Sequence, residues 1–148
     1  MPEFMKRTVF LLMLIHVFLF SAQADEFYRD EVKEVVIDTK RNLMWQDDIS
    51  ARGTDKSYED AKAHCENLDF ASYKDWYLPN LDELKSIIKA ENYPRSILKV
   101  FNNVYSDYYW SSSEYTAEYA WLVLFIYEDV VYYHKRDTNF VRCVRKGK

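Results

Sequence analysis

Asp75-Trp76-Tyr77-Leu78-Pro79-Asn80-Leu81-Asp82-Glu83-Leu84 changes backbone state at its centre. The residue before a proline is pushed out of the helical region, so Asp75 to Pro79 reads as extended. Asn80 can then cap a helix with its side-chain oxygen, while the Glu83 carboxylate reaches back to the cap amide. Leu81, Leu84, Ile87 and Ile88 supply an apolar helical face, and Pro94 bars continuation beyond about Tyr93. An extended segment running straight into a capped helix joins two kinds of structure, and the flanks extend each kind.

Upstream, Ser57 with Asp60 three residues on caps a first helix. Tyr58, Ala61, Cys65 and Leu68 form its buried stripe, with Glu59 and His64 off it and solvated. Before that, Glu34–Asp38 and Leu43–Gln46 flank Thr39-Lys40-Arg41-Asn42 as a hairpin, and Asp47–Lys56 reads as a polar loop. Downstream, Tyr108–Ser112 is a strand, and Tyr119–Tyr127 is a strand buried on both faces. Glu128-Asp129 turns the chain into Val130–His134, and Asn139–Arg145 closes the sheet. Its alternation puts Val141 and Cys143 on one face and Phe140, Arg142 and Val144 on the other. The expected fold class is α+β, with two helices packed on a small twisted antiparallel sheet.

The N-terminus is of another kind. Met1-Pro2-Glu3-Phe4 precedes a second Met and reads as a scar. Lys6-Arg7, an uncharged run from Thr8 to Phe20, and Ala22-Gln23-Ala24 make a secretory signal with cleavage expected after Ala24. The run is too short for a spanning helix, so no stable membrane span is expected after cleavage. Removing these 24 of 148 residues leaves one domain over 25–148, and losing Glu3, Lys6 and Arg7 takes the net charge from −4 to −5. The expected location is periplasmic or secreted. There, an even cysteine count favours pairing, and Cys65 with Cys143 is the pair available. A reactive thiol or a metal thiolate is the weaker alternative, since neither CxxC nor a nearby His cluster is present.

The motifs occur in a fixed order. Asp38-Thr39, Leu43-Met44-Trp45-Gln46, Ala61 with Cys65, and Asp75-Trp76-x-Leu78-Pro79 with Glu83-Leu84 come first. Tyr109-Trp110-Ser111-Ser112-Ser113, Ala120-Trp121 and Val141-Arg142-Cys143-Val144-Arg145 follow. Over about Val35 to Arg145 the chain resembles a bacterial domain-of-unknown-function family named for the C-terminal domain of a collagen-like adhesin. That resemblance implies a C-type-lectin-like or formylglycine-generating-enzyme-like fold, with a disulfide from the first helix to the last strand. Cys65 and Cys143 occupy those places. The calcium and sugar motifs of the lectins (Glu-Pro-Asn or Gln-Pro-Asp, and Trp-Asn-Asp) are missing, and the enzymes' active-site cysteines have no counterpart. Collagen-like repeats are missing as well, which weakens a transfer of adhesion. Glu128-Asp129 stands where the family commonly has Asp-Gly, which implies a wider hairpin.

Function classes narrow accordingly. An acidic chain with no Lys/Arg stripe argues against nucleic acid as partner. Ser111–Ser113 with His134 could pair as nucleophile and base, and His64 with His134 could ligate a metal, but neither has the spacing of a site. No cofactor, metal or catalytic set is therefore expected. Asp47-Asp48 and Glu128-Asp129 read as solvated charges, with a weak calcium site as the alternative. Trp45, Trp76, Trp110 and Trp121 read as core. What stands out is 13 Tyr, several of them interleaved with acids. Tyr105, Asp107, Tyr108, Glu114, Tyr115, Glu128 and Asp129 are the candidate ligand-binding residues, with Tyr127, Tyr132 and Tyr133 beside them. Binding is expected through the 102–107 and 113–118 loops and the 128–129 turn. Flat rings with a hydroxyl suit sugar stacking or a protein hot spot. The expected function is a non-catalytic exported recognition domain for an envelope protein or glycan. The alternatives are a small envelope enzyme using His134 and a carboxylate, or an inhibitory or stabilising subunit of an envelope complex.

Overall fold

A computed structural model describes residues 26–89, 97–105 and 107–147. The expected leader at 1–24 and the Pro94 stop lie outside these residues. Nine strands and three short helices follow one another within the described residues. The strands are β1 (Phe27–Asp30), β2 (Val35–Asp38), β3 (Leu43–Gln46), β4 (Asp55–Lys56), β5 (Tyr108–Glu114), β6 (Tyr119–Leu124), β7 (Asp129–His134), β8 (Asn139–Phe140) and β9 (Val144–Lys146). The helices are α1 (Ser50–Gly53), α2 (Tyr58–Glu66) and α3 (Leu81–Ser86). One sheet has the order β1-β2-β3-β9 and the other β4-β8-β5-β6-β7.

This architecture corrects the expected α+β, C-type-lectin-like arrangement of two helices on one small sheet. The domain is mostly β, built from two sheets. Two local events account for the difference. Asp47–Lys56, expected as a loop, contains α1 and the two-residue β4, and β4 pairs with β8. The expected closing strand Asn139–Arg145 breaks in two. Its first part, β8, pairs with β4 and β5, whereas β9 pairs with β3 in the other sheet. Between them Val141, Arg142 and Cys143 cross from sheet to sheet, and all three are buried. The expected split into an inward and an outward face therefore does not hold there.

Both caps form as the residues dictate. The Ser57 hydroxyl accepts the Asp60 amide at 3.4 Å, and Asn80 with Glu83 makes a reciprocal capping box (2.8 and 3.0 Å). The expected hairpin of β2 and β3 forms, with Asp38 opposite Leu43. The hairpin of β6 and β7 pairs Leu124 with Asp129, so four residues turn it. Glu128 takes a left-handed conformation there (φ 55°), which glycine ordinarily supplies. Asp129 is thus a strand residue, and the turn lies earlier than expected.

Alternation along the strands feeds two cores. Val36, Trp45, Tyr109 and Val123 pack with α3 and with Leu98 and Phe101. Val35, Trp110, Leu122 and Cys143 pack with α2 and Trp76. Neighbours such as Val35 and Val36, or Leu122 and Val123, therefore go to opposite sides of their sheet. Cys65 of α2 is bonded to Cys143 across 78 positions, with Cα atoms 5.4 Å apart.

The conspicuous motif residues hold this frame together. Arg145 grips Asp75 with two nitrogens (2.7 and 2.9 Å) and lies 3.8 Å from the centre of the Tyr73 ring. Arg142, wholly buried, donates to Gln46 O at 2.6 Å, to Asp47 Oδ1 at 2.9 Å and to Asn103 O. Asp47 also receives Arg29 and the amides of Asn102 and Asn103. The reading of Asp47 as a solvated charge is therefore corrected: it is a fully buried anion at the crossing of both sheets. His64 is half-buried rather than solvated, and that burial lowers its pKa.

A candidate recognition site on an aromatic sheet face

The β6–β7 register sets Tyr119 opposite His134, Trp121 opposite Tyr132 and Val123 opposite Val130. With a side-chain period of two, all six stand on one face. Val123 and Val130 lie under the first core. The other four extend beyond that cover, at the end of the sheet where β5 turns into β6.

Tyr115, in that turn, completes the patch. Its amide and that of Thr116 both donate to Tyr119 O (2.9 and 3.0 Å), folding the turn back over the sheet. The Thr116 hydroxyl receives the amides of Glu118 and Tyr119. Tyr115 then stacks on Tyr132 with centroids 4.2 Å apart, and Trp121 meets both rings edge-on at 4.9 and 5.6 Å. Tyr119 adds edge contacts to Tyr132 and His134 at 5.9 and 5.3 Å. Tyr115 and Tyr132 remain 48% and 46% exposed, so the rings are ordered by one another while open to solvent. An open cleft of about 620 Å³ runs beside them, lined by Tyr115, Thr116, Ala117, Glu118, Tyr119 and Tyr132.

Charge surrounds this patch. Lys135 bonds Ala117 O at 3.0 Å and the Glu114 carboxylate at 2.9 Å. Lys135 holds the exposed Glu114 below its ordinary carboxylate value. Beneath, the Tyr58 hydroxyl donates to Ser112 O at 2.9 Å. Burial, with the nearby Glu114 charge adding to it, raises the Tyr58 pKa to about 12. A phenol raised in this way stabilises the fold fully below about pH 10, and that contribution is lost as pH rises through 12. Phenolate absorbance should accordingly show a late ionisation step near pH 12. Tyr58→Phe should remove that late step.

The residues expected to bind ligand divide into two groups. Glu114 and Tyr115 stand at the patch. Tyr105, Asp107, Tyr108, Glu128 and Asp129 lie at the other end of β5, where Tyr108 pairs with Leu124 and Leu124 with Asp129. Seven residues of strand, roughly 20 Å, separate the groups. Tyr105 stacks on Phe140 at 4.9 Å, and Tyr108 packs against Tyr133 at 5.1 Å. The expectation that Trp121 is core, like Trp45, Trp76 and Trp110, is corrected here. Those three are buried, whereas Trp121 is partly open and belongs to the patch. The signal for it lay in the alternation 119, 121 against 132, 134.

The serines and His134 have backbone partners. Ser111 Oγ donates to Trp121 O, Ser113 Oγ receives the Leu81 amide, and His134 Nδ1 receives the Arg136 amide. Among the described residues, no group of three or more His, Cys, Asp or Glu is placed to hold a metal ion.

Fold and site together define a small, disulfide-pinned β domain with an exposed aromatic face. Residues 34–145 match the Lcl C-terminal domain family, and the chain belongs to it. The span is almost that over which the ordered motifs run. A search of the curated proteins gives no match.

Proposed function

We propose that this domain is a non-catalytic, exported recognition module that binds a glycan or protein of the bacterial envelope through Tyr115, Trp121 and Tyr132. The observation that carries this reading is three mutually packed rings, two of them about half exposed, beside an open cleft. Flat rings already held in place lose little freedom on binding, and they match the apolar face of a sugar ring or a partner's hot spot. Glu118 and the Glu114–Lys135 pair supply charge around them. The leader-like N-terminus supports export, and the Cys65–Cys143 bond suits an oxidising compartment.

The test is a glycan array and a pull-down from envelope extracts with the wild-type chain and with Tyr132→Ala. Truncating a central aromatic anchor typically costs 2 kcal/mol or more, so binding should weaken roughly thirtyfold or more. His134→Ala should keep its ligand. Silence of the wild-type chain in both assays, with turnover in an activity screen that His134→Ala abolishes, would establish the enzyme instead.

A further inference from the structure

The strand β7 ends its sheet: among the described residues it pairs only with β6. Edges of this kind are usually blunted by proline, bulges or inward charge. Asp129-Val130-Val131-Tyr132-Tyr133-His134 has no proline and keeps an unbroken register with β6 over all six residues.

Which backbone groups face outward follows from one hydrogen bond. The Lys135 amide donates to Glu118 O at 2.9 Å, so residues 135 and 118 form a bonded pair. Bonded pairs alternate along an antiparallel ladder, which makes 133 with 120, 131 with 122 and 129 with 124 the others. Val130, Tyr132 and His134 therefore direct their amides and carbonyls away from β6. The Val130 amide donates to Asp129 Oδ1 and His134 O accepts the Asp137 amide, which leaves the Tyr132 amide and carbonyl, the His134 amide and the Val130 carbonyl at the open edge.

The charges around this edge are segregated. Glu128 and Asp129 lie at its start, Lys135 and Arg136 at its end. An antiparallel copy centred on Tyr132 brings the exposed Glu128, in the turn before β7, toward Arg136, in the turn after it, on both sides of the two-fold axis, while Lys135 stays with its own Glu114. The same register brings outward-facing residues together: Tyr132 meets Tyr132, and Val130 meets His134. Shifting the centre to Tyr133 sets Asp129 against Asp137, and shifting it to Val131 leaves both basic residues without an acid. One register thus joins the open backbone groups and brings Glu128 toward Arg136.

We propose that β7 is the seam of a two-fold homodimer in which two copies pair antiparallel about Tyr132 and their five-stranded sheets become one. Tyr132 amides and carbonyls bond reciprocally, flanked by His134 amides donating to Val130 carbonyls. The two aromatic faces then adjoin, with Tyr132 Cα atoms about 5.5 Å apart. Two clefts on one surface would engage a repeating ligand more tightly than either alone. The seam does not depend on the recognition reading.

Sedimentation equilibrium over roughly 10 µM to 1 mM, the range of a small edge contact, tests it. Glu128 and Arg136 are both exposed, so exchanging their charges leaves the fold in place. The wild-type chain should dimerise, and the Tyr132 and His134 amides should exchange more slowly as concentration rises. E128R alone and R136E alone should each weaken association about tenfold, since two cross-strand charge pairs turn repulsive in each case. E128R/R136E should regain wild-type association. A chain that stays monomeric throughout overturns the seam. So does a dimer indifferent to E128R, or a double variant as weak as the singles.

Discussion

Removing the Cys65–Cys143 bond should destabilise the domain by about 4.5 kcal/mol, the loop-entropy value for a closure of this length. The bridge spans 78 positions and ties α2 to the segment that crosses between the sheets. Without it the unfolded chain regains the freedom of most of the domain. Both sulfurs sit in the second core beside Val35, Trp76 and Trp110, so reduction also leaves two thiols in a packed interior. Against a typical stability of 5–15 kcal/mol, the loss brings the domain near its unfolding threshold. Cys65→Ala/Cys143→Ala should melt on the order of 15 °C below the wild-type chain. A fall of only about 3 °C would show that the bond restrains little.

Arg142→Ala should cost about 3–5 kcal/mol, the range for breaking one side of a buried ion pair. The guanidinium bonds Gln46, Asp47 and Asn103 from one position and lies 4.9 Å from the centre of the Phe101 ring. Its loss leaves the Asp47 carboxylate buried with Arg29 as its remaining side-chain cation. Burial pulls the Arg142 pKa down, while Tyr109 and Asp48 draw it back. Arg142→Lys should recover little, because an ammonium cannot fork toward three acceptors at fixed angles. Denaturant unfolding of Arg142→Met, Asp47→Asn and their combination should be non-additive, the double variant costing less than the two singles summed. Strict additivity would mean that the pair is not coupled.

These two effects account for much of the ordered motif set in this sequence. Asp75, Trp76, Leu78, Trp45, Trp110 and the Arg142-Cys143-Val144-Arg145 run are cap neighbours, core rings, a bridge and ion pairs. Their work is structural, and the site lies mostly outside them.

Local chemistry was readable. Ser57 and Asn80 announce their helices because a cap is a matter of three or four residues, and the β2–β3 hairpin closes over four. The pairing of Cys65 with Cys143 needed only an even count and a compartment. The two-sheet architecture was not readable in the same way. Strands as short as β4 and β8 carry no periodicity, and the crossing at 141–143 is buried on all sides, so alternation misreads it. Arg142 and Asp47 stand 95 positions apart, and nothing near either residue names its partner. Five of the seven expected ligand residues lie at the other end of β5 from the aromatic patch, because composition groups tyrosines by abundance whereas register groups them by face. Tyr132 and Trp121 meet only once β6 and β7 are paired.

The most direct test of the central claim is ligand capture by the folded domain with and without its stacked rings. Tyr115→Ala/Tyr132→Ala should melt close to the wild-type chain, since both rings are about half exposed. Applied to the same glycan array and envelope extract, the wild-type chain should retain a ligand and this variant should lose it. Equal retention by both, at equal stability, would contradict the account and place recognition elsewhere on the molecule.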